Sequence, residues 1–349
     1  MSLLSVRDLV VRFRTDEGTV YAVNGVNLEV DERETVGLVG ESGSGKSVTS
    51  LAIIGLLPRP GGRIERGQIL FEGVDLTTLR ESALRRLRGR DIAMVFQDPM
   101  TSLNPVLTIE EQIVETITAH GNVRSVVARE RAKELLALVG IPGGAQQLRR
   151  YPHQFSGGMR QRVMIAIALA LEPKLLIADE PTTALDVTVQ AQILELLESL
   201  TTESGTAVIL ISHDLGVVAR TTQRVAVMYA GFVVESATTP ELFVHPRHPY
   251  TVGLLHSIPR LDAEPEEELT PIEGAPPDQR SEPVGCPFAP RCRWRLDVCW
   301  NEMPPLVPTA EGHLLACHNP VSPDESAVGH PLRAGFGAAP ARAERLEHA

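Results

Sequence analysis

From Gly40 to Ser47 the chain reads G-E-S-G-S-G-K-S, the G-x-x-x-x-G-K-[ST] spacing of a phosphate-binding loop. Gly40, Gly43 and Gly45 let the backbone wrap a polyphosphate with its N–H groups turned inward, and Ser42, Ser44 and Val48 complete the candidate nucleotide-binding stretch. Lys46 is spaced to reach β- and γ-phosphates, and Ser47 to ligand Mg²⁺. A second set of chemical groups closes the apolar run "LLIADE": Asp179 and Glu180, two adjacent carboxylates that are costly there unless a cation meets them. Asp179 can hold Mg²⁺ through its water shell, and Glu180 can polarise a water that attacks a γ-phosphate. A third candidate is "FSGGMRQR", where Ser156 is a good N-cap and Gly157 and Gly158 leave first-turn N–H groups uncovered, so that one chain offers two anion-binding ends.

These groups need rigid elements behind them. "TVGLV" reads as a buried strand entering the phosphate loop, and residues 47 to 57 as the helix that follows. Residues 3 to 40 alternate or run apolar in short segments broken by "TDEG" and "DERE", which predicts a small antiparallel sheet; "GQILFEGVDLTTL" adds a hairpin strand and "DIAMVFQDP" a buried strand ended by Pro99. From about 99 to 172 apolar residues recur at three- and four-residue steps, a helical pattern in which Gly140 and Pro142 end one helix. "KLLIADEP", "TAVILISHD" and "RVAVMYAGFVVE" each read as a strand, with a helix at "VTVQAQILELLESL". Strand and helix alternating around a phosphate loop imply an α/β fold of the P-loop NTPase kind: a parallel sheet covered by helices, with a helical insertion.

At 349 residues two or three lobes are expected. Residues 1–98 with 172–235 form a nucleotide core, 99–171 a helical part, 236–320 an extension, and 321–349 an Ala-, Gly- and Pro-rich tail expected to be unordered. The longest apolar run, "VMIAIALAL", is half what a bilayer demands, and no export leader opens the chain, so a cytosolic location is expected. A net charge of −11 argues against a broad electrostatic grip on nucleic acid. All four cysteines fall between 286 and 317, spaced C-x5-C-x6-C-x17-C, unlike the paired knuckles of common zinc sites. Four thiolates in a proline-punctuated segment can wrap a [4Fe–4S] cubane; Zn²⁺ and unliganded thiols are the alternatives.

In order, "GESGSGKS", "VFQDP", "FSGGMRQR", "LLIADEP", "TALD" and "ISHD" resemble the nucleotide-binding subunit of an ATP-binding cassette (ABC) transporter, over residues 5 to about 320. The resemblance implies a RecA-like core with an antiparallel β subdomain and a helical subdomain. Two cassettes then pair head to tail, each ATP lying between one subunit's phosphate loop and the other's "SGG" helix. It gives Gln97 the role of γ-phosphate, Mg²⁺ and water sensor, Asp186 a contact across the dimer, His213 a contact to the γ-phosphate, and Phe13 the ring stacked on adenine, with Tyr21 as runner-up.

"HPRHPYTVGLLHSIP" followed by "PVGCPFAPRC" is similar to the C-terminal extension of the oligopeptide and dipeptide importer branch, and Met159 in "FSGGM" resembles the first of that branch's two paired ATPase subunits. Such a subunit would form a heterodimer with a second ATPase, drive two membrane permease subunits from the cytoplasmic face, and serve an extracytoplasmic substrate-binding protein. Members of the branch are known to hold a [4Fe–4S] cluster, which the resemblance places on Cys286, Cys292, Cys299 and Cys317. The rival is a soluble cassette ATPase acting on DNA or ribosomes, although no second cassette or long coiled coil appears. A P-loop kinase ranks last, because it leaves "FSGG" and "ISHD" without purpose.

Overall fold

A computed structural model of the chain describes residues 2–121, 123–182, 187–257, 272–309 and 313–322. It divides into two units: residues 1–233 with Asp278–Pro283, and Val234–Pro277 with the chain from Val284 on.

In the first unit β1 (Ser2–Thr15) and β2 (Gly18–Asp31) form a long antiparallel pair, with Val11 opposite Val23 and Phe13 opposite Val20. Its inward face is Leu4, Val6, Leu9 and Val11 against Val23, Val26, Leu28 and Val30, all buried. That apolar alternation is what makes these segments strands. β3 (Thr35–Val39) then runs fully buried into the phosphate loop and α1 (Lys46–Ile53). β4 (Gly62–Phe71) returns to pair with β1, and β5 (Val74–Asp75) completes a sheet ordered β2-β1-β4-β5.

After α2 (Glu81–Leu87) and β6 (Ile92–Val95) the chain turns helical: α3 (Pro99–Ser102), α4 (Ile109–Ala119), α5 (Ser125–Leu138), α6 (Gly144–Leu148) and α7 (Gly157–Ala168). Thr108 and Glu111 close a reciprocal capping box on α4, a device worth about 1 kcal/mol. Four-residue spacing puts Ile109, Ile113 and Ile117 on one face of α4, buried in one core with Ala128, Ala132 and Leu135 of α5 and with Val163, Ile165 and Ala166 of α7. α5 ends at Leu138, and Gly140 follows with φ 71°, as the glycine there predicts.

β7 (Leu175–Asp179), α8 (Val187–Ser199), β8 (Ala207–Ile211), α9 (Leu215–Thr221) and β9 (Arg224–Tyr229) build the central sheet. Its strands are parallel in the order β9-β3-β8-β7-β6. The single strand expected at "RVAVMYAGFVVE" is two, because Ala230 at φ 47° and Gly231 at φ 84° make a tight turn between β9 and β10 (Phe232–Thr238).

In the second unit β10 pairs antiparallel with a later strand, Glu235 facing Leu315, ahead of α10 (Thr239–Val244) and α11 (Pro249–His256). The short strands β11 (Val307–Pro308) and β12 (Leu314–Leu315) continue this pairing in the order β10-β12-β11. Buried Glu235 accepts from the backbone N–H groups of Arg247 at 2.7 Å and His248 at 3.1 Å, and lies 2.7 Å from His313 Nε2. His248 caps α11 by accepting the Tyr250 N–H on Nδ1 at 3.0 Å, which requires a ring unprotonated at that atom. Burial pushes its pKa down to about 4, so it stays neutral at pH 7. Cys292 and Cys299 are buried and Cys286 and Cys317 partly so, all four as free thiols.

Candidate functional site

The phosphate loop is built from close backbone approaches that only glycine permits. A Cβ at Gly40 would stand 2.1 Å from the Met228 carbonyl oxygen, and one at Gly45 2.6 Å from that of Ala22, with φ values of 145° and 102°. Behind the loop the Ala230–Gly231 turn braces it: the Gly231 N–H donates to Ser44 O at 2.9 Å, and Asn24 Nδ2 donates to Ala230 O at 2.9 Å. Sequence reasoning missed this brace because its only local signal is an Ala-Gly pair inside an apolar run.

Gly45 precedes α1 in a left-handed conformation and no side chain caps the helix. The first-turn N–H groups, including that of Val48, therefore face whatever anion the loop holds. Ser42 and Gly43 are exposed at the rim, while Ser44 and Lys46 are buried. The Lys46 ammonium donates to Gly40 O at 2.7 Å, Glu41 O at 2.9 Å and Ser44 Oγ at 3.4 Å. Burial lowers its pKa, opposed by Glu180, Asp179 and Glu41. These oxygen partners satisfy the buried cation.

At the end of β7, Asp179 accepts from the Ser47 hydroxyl at 3.2 Å. Burial raises its pKa, with Glu180 adding to the rise while Ser47 and Lys46 oppose it. Two hard oxygens 3.2 Å apart, one hydroxyl and one carboxylate, are donors of the kind Mg²⁺ takes. Glu180 sits just past the strand with φ 48°, its N–H bonded to Ile211 O at 3.0 Å, so the strained residue is held by the neighbouring strand. Its Oε2 receives Gln97 Nε2 at 2.9 Å and lies 3.4 Å from His213 Nδ1. Two residues, Gln97 after β6 and His213 after β8, thus meet on one carboxylate oxygen of Glu180. Such a group can orient a water and accept its proton.

The candidate second anion end is α7, where Ser156 Oγ accepts the Met159 N–H at 3.4 Å and nothing lies within 4 Å of a Cβ placed on Gly157. Gly158 occupies the next position of the same first turn. Phe13 is half-buried on β1, and its Cε1 lies 2.7 Å from where a Gly62 Cβ would be. The Tyr21 ring is covered at 4.5 Å by the Arg12 guanidinium. Asp186 lies outside the described residues.

For the four thiols the outcome is narrower. Among the described residues no group of three or more His, Cys, Asp or Glu is gathered closely enough to hold a metal ion. Burial pushes Cys286 up to about 11 and Cys317 to about 12, and the proximity of the other cysteines adds to the rise at each. Cys286 N–H donates to Cys299 O at 2.8 Å, which ties two of the cysteine segments together.

Comparison with known proteins agrees with this architecture. The sequence profile described as ABC transporter matches residues 23–183, and the one described as oligopeptide/dipeptide transporter, C-terminal region, matches 234–299. The chain is 54% identical over 311 residues to the oligopeptide transport ATP-binding protein OppD of Bacillus subtilis, covering 89% of this chain and 87% of that one. It is 52% identical over 315 residues to the dipeptide transport ATP-binding protein DppD of the same organism, covering 90% and 94%. Among solved structures, the dimeric post-hydrolysis state of the ATP-binding cassette MJ0796 bound to ADP and Pi matches with a TM-score of 0.62 at 30% identity, covering 68% of this chain and 98% of that one. The chain therefore belongs to the ABC transporter family, as an ATPase subunit of its oligopeptide/dipeptide type.

Proposed function

We propose that this chain is the motor of a membrane importer for di- and oligopeptides, binding ATP at a head-to-tail cassette interface and hydrolysing it to drive uptake. The observation that carries the reading is the union on one chain of a complete phosphate-loop ATPase core and the C-terminal region of peptide importers. The alternative of a soluble ATPase acting on DNA or ribosomes finds no support among these relatives.

In this reading Lys46 and the loop N–H groups of residues 40 to 48 hold the phosphates, and Phe13 stacks on adenine. Ser47, Asp179 and Gln97 hold Mg²⁺, which supplies charge neutralisation on the transferring phosphate. Glu180 takes the proton of the attacking water while Gln97 and His213 orient it. Ser156, Gly157 and Gly158 close on the γ-phosphate of the partner cassette's ATP, and Asp186 makes the contact across the pair. The helical segment 99–171 and the extension 236–320 are the divisions we assign around this core. The partners are a second, paralogous ATPase subunit forming a heterodimer, two membrane permeases at whose cytoplasmic face the pair sits, and an extracytoplasmic substrate-binding protein.

A [4Fe–4S] cluster on Cys286, Cys292, Cys299 and Cys317 belongs to the same proposal. Its support is the donor set: four free thiols in one C-terminal segment, the ligand type that Cys₄ ligation of [4Fe–4S] uses. One preparation tests both parts. Anaerobic isolation of the intact assembly is expected to yield permease subunits, a receptor carrying peptide, and a brown protein with iron, acid-labile sulfide and absorbance toward the blue. Nucleic acid in place of permeases sinks the transport reading; a colourless protein with one zinc and no sulfide sinks the cluster.

A further inference from the structure

The segment Asp278–Pro283 lies with the nucleotide-binding unit although it comes from far along the chain. It touches that unit at three places. The Tyr21 N–H on β2 donates to Gln279 O at 2.8 Å, Arg280 Nη1 reaches Glu17 Oε2 at the tip of the β1–β2 hairpin at 2.8 Å, and Gln279 Nε2 donates to Gly43 O at 2.6 Å. Asp278 fixes the Arg280 side chain through Nε at 3.1 Å, so the grip on Glu17 is preset.

Gly43 is the middle of the phosphate loop, at φ 77°. A trans peptide points its carbonyl and the next N–H in opposite directions. Holding Gly43 O outward therefore turns the Ser44 N–H into the loop, where it meets Glu41 O at 3.2 Å. The hairpin gripped at Glu17 and Tyr21 is the one that carries Phe13, paired with Val20 one residue before Tyr21. One residue thus bonds through its backbone to the hairpin and through its side chain to the phosphate loop, and a nucleotide must span the same two elements.

We propose that Gln279 is a positioning residue of the nucleotide site, fixing the spacing between the phosphate loop and the base-binding hairpin. It touches neither phosphate nor base; it pre-organises the gap that a complete nucleotide fills, and so acts on ATP more than on either half of it. The inference rests on nucleotide being held at this loop.

The test uses the full chain and two variants, Gln279→Ala and Gln279→Glu. Glutamate keeps the shape and the backbone bond to Tyr21 but replaces the donor with a carboxylate facing the Gly43 carbonyl. Calorimetric titration with MgATP is expected to show affinity lowered about three- to tenfold in Gln279→Ala, the range of one lost hydrogen bond, and at least as much in Gln279→Glu, where the carboxylate adds repulsion. Binding of inorganic tripolyphosphate to Gln279→Ala is expected to fall by less than ATP binding does, since that probe occupies the loop alone and does not span the gap to the hairpin. In the assembled transporter KM for ATP rises with kcat unchanged, the mark of lost ground-state binding. Parental ATP affinity in both variants overturns the assignment. So does an equal loss for ATP and tripolyphosphate, which makes Gln279 a prop of the loop alone, and so does a fall in kcat at constant KM. A parental chain that binds no nucleotide at all instead sinks the reading on which the assignment stands.

Discussion

Glu180→Gln is expected to lower ATP hydrolysis by about two to four orders of magnitude, the contribution of a positioned general base, while ATP affinity stays near parental. The substitution keeps volume and a carbonyl oxygen, so the bond from Gln97 at 2.9 Å on Oε2 has an acceptor still. It keeps the strained backbone as well, because the N–H bond to Ile211 O at 3.0 Å does not involve the side chain. What goes is the carboxylate charge, and with it the ability to take a proton from water. The variant should then accumulate with ATP bound and the cassettes closed, which size-exclusion chromatography with radiolabelled ATP reads directly. Turnover at the parental rate shows that another group is the base.

The second large effect is on binding. Lys46→Ala is expected to weaken MgATP by at least about a hundredfold, because a buried ammonium gives charged hydrogen bonds worth about 1.5–3 kcal/mol each. Lys46 is 6% exposed and its donors converge on Gly40, Glu41 and Ser44, which places its charge inside the loop. Lys46→Arg should not restore affinity, since the wider planar guanidinium cannot enter a space sized for a point charge. Equilibrium titration separates this from the first prediction, where affinity survives and chemistry fails. Nucleotide binding by Lys46→Ala within a few fold of the parent contradicts the placement of the phosphates.

What the sequence made legible was local. The phosphate loop is a contiguous pattern of glycines and one lysine, and Asp179 and Glu180 end an apolar run, so both could be read from neighbours in the chain. The capping box at Thr108 and the glycine stop after α5 are equally short-range. Contacts across long separations were hidden. Gln97 and Glu180 are 83 residues apart and Gln279 and Gly43 are 236 apart, and no periodicity or spacing reports that such pairs meet. The Ala230–Gly231 turn was missed for the opposite reason: it is only two residues long, and the apolar residues on either side mask it as one strand. Roles shared between chains are further out of reach, because the N-terminus of α7 has a geometry that any capped helix could show.

The central claim is that one chain carries half of each catalytic centre. The measurement that tests it most directly is MgATP hydrolysis per chain across a dilution series, with mass recorded at every concentration by light scattering or mass photometry. The account predicts that specific activity falls as pairs dissociate and vanishes in the monomer, and that adding the partner ATPase subunit restores it. A strictly monomeric preparation that hydrolyses ATP at an undiminished rate at every dilution contradicts it.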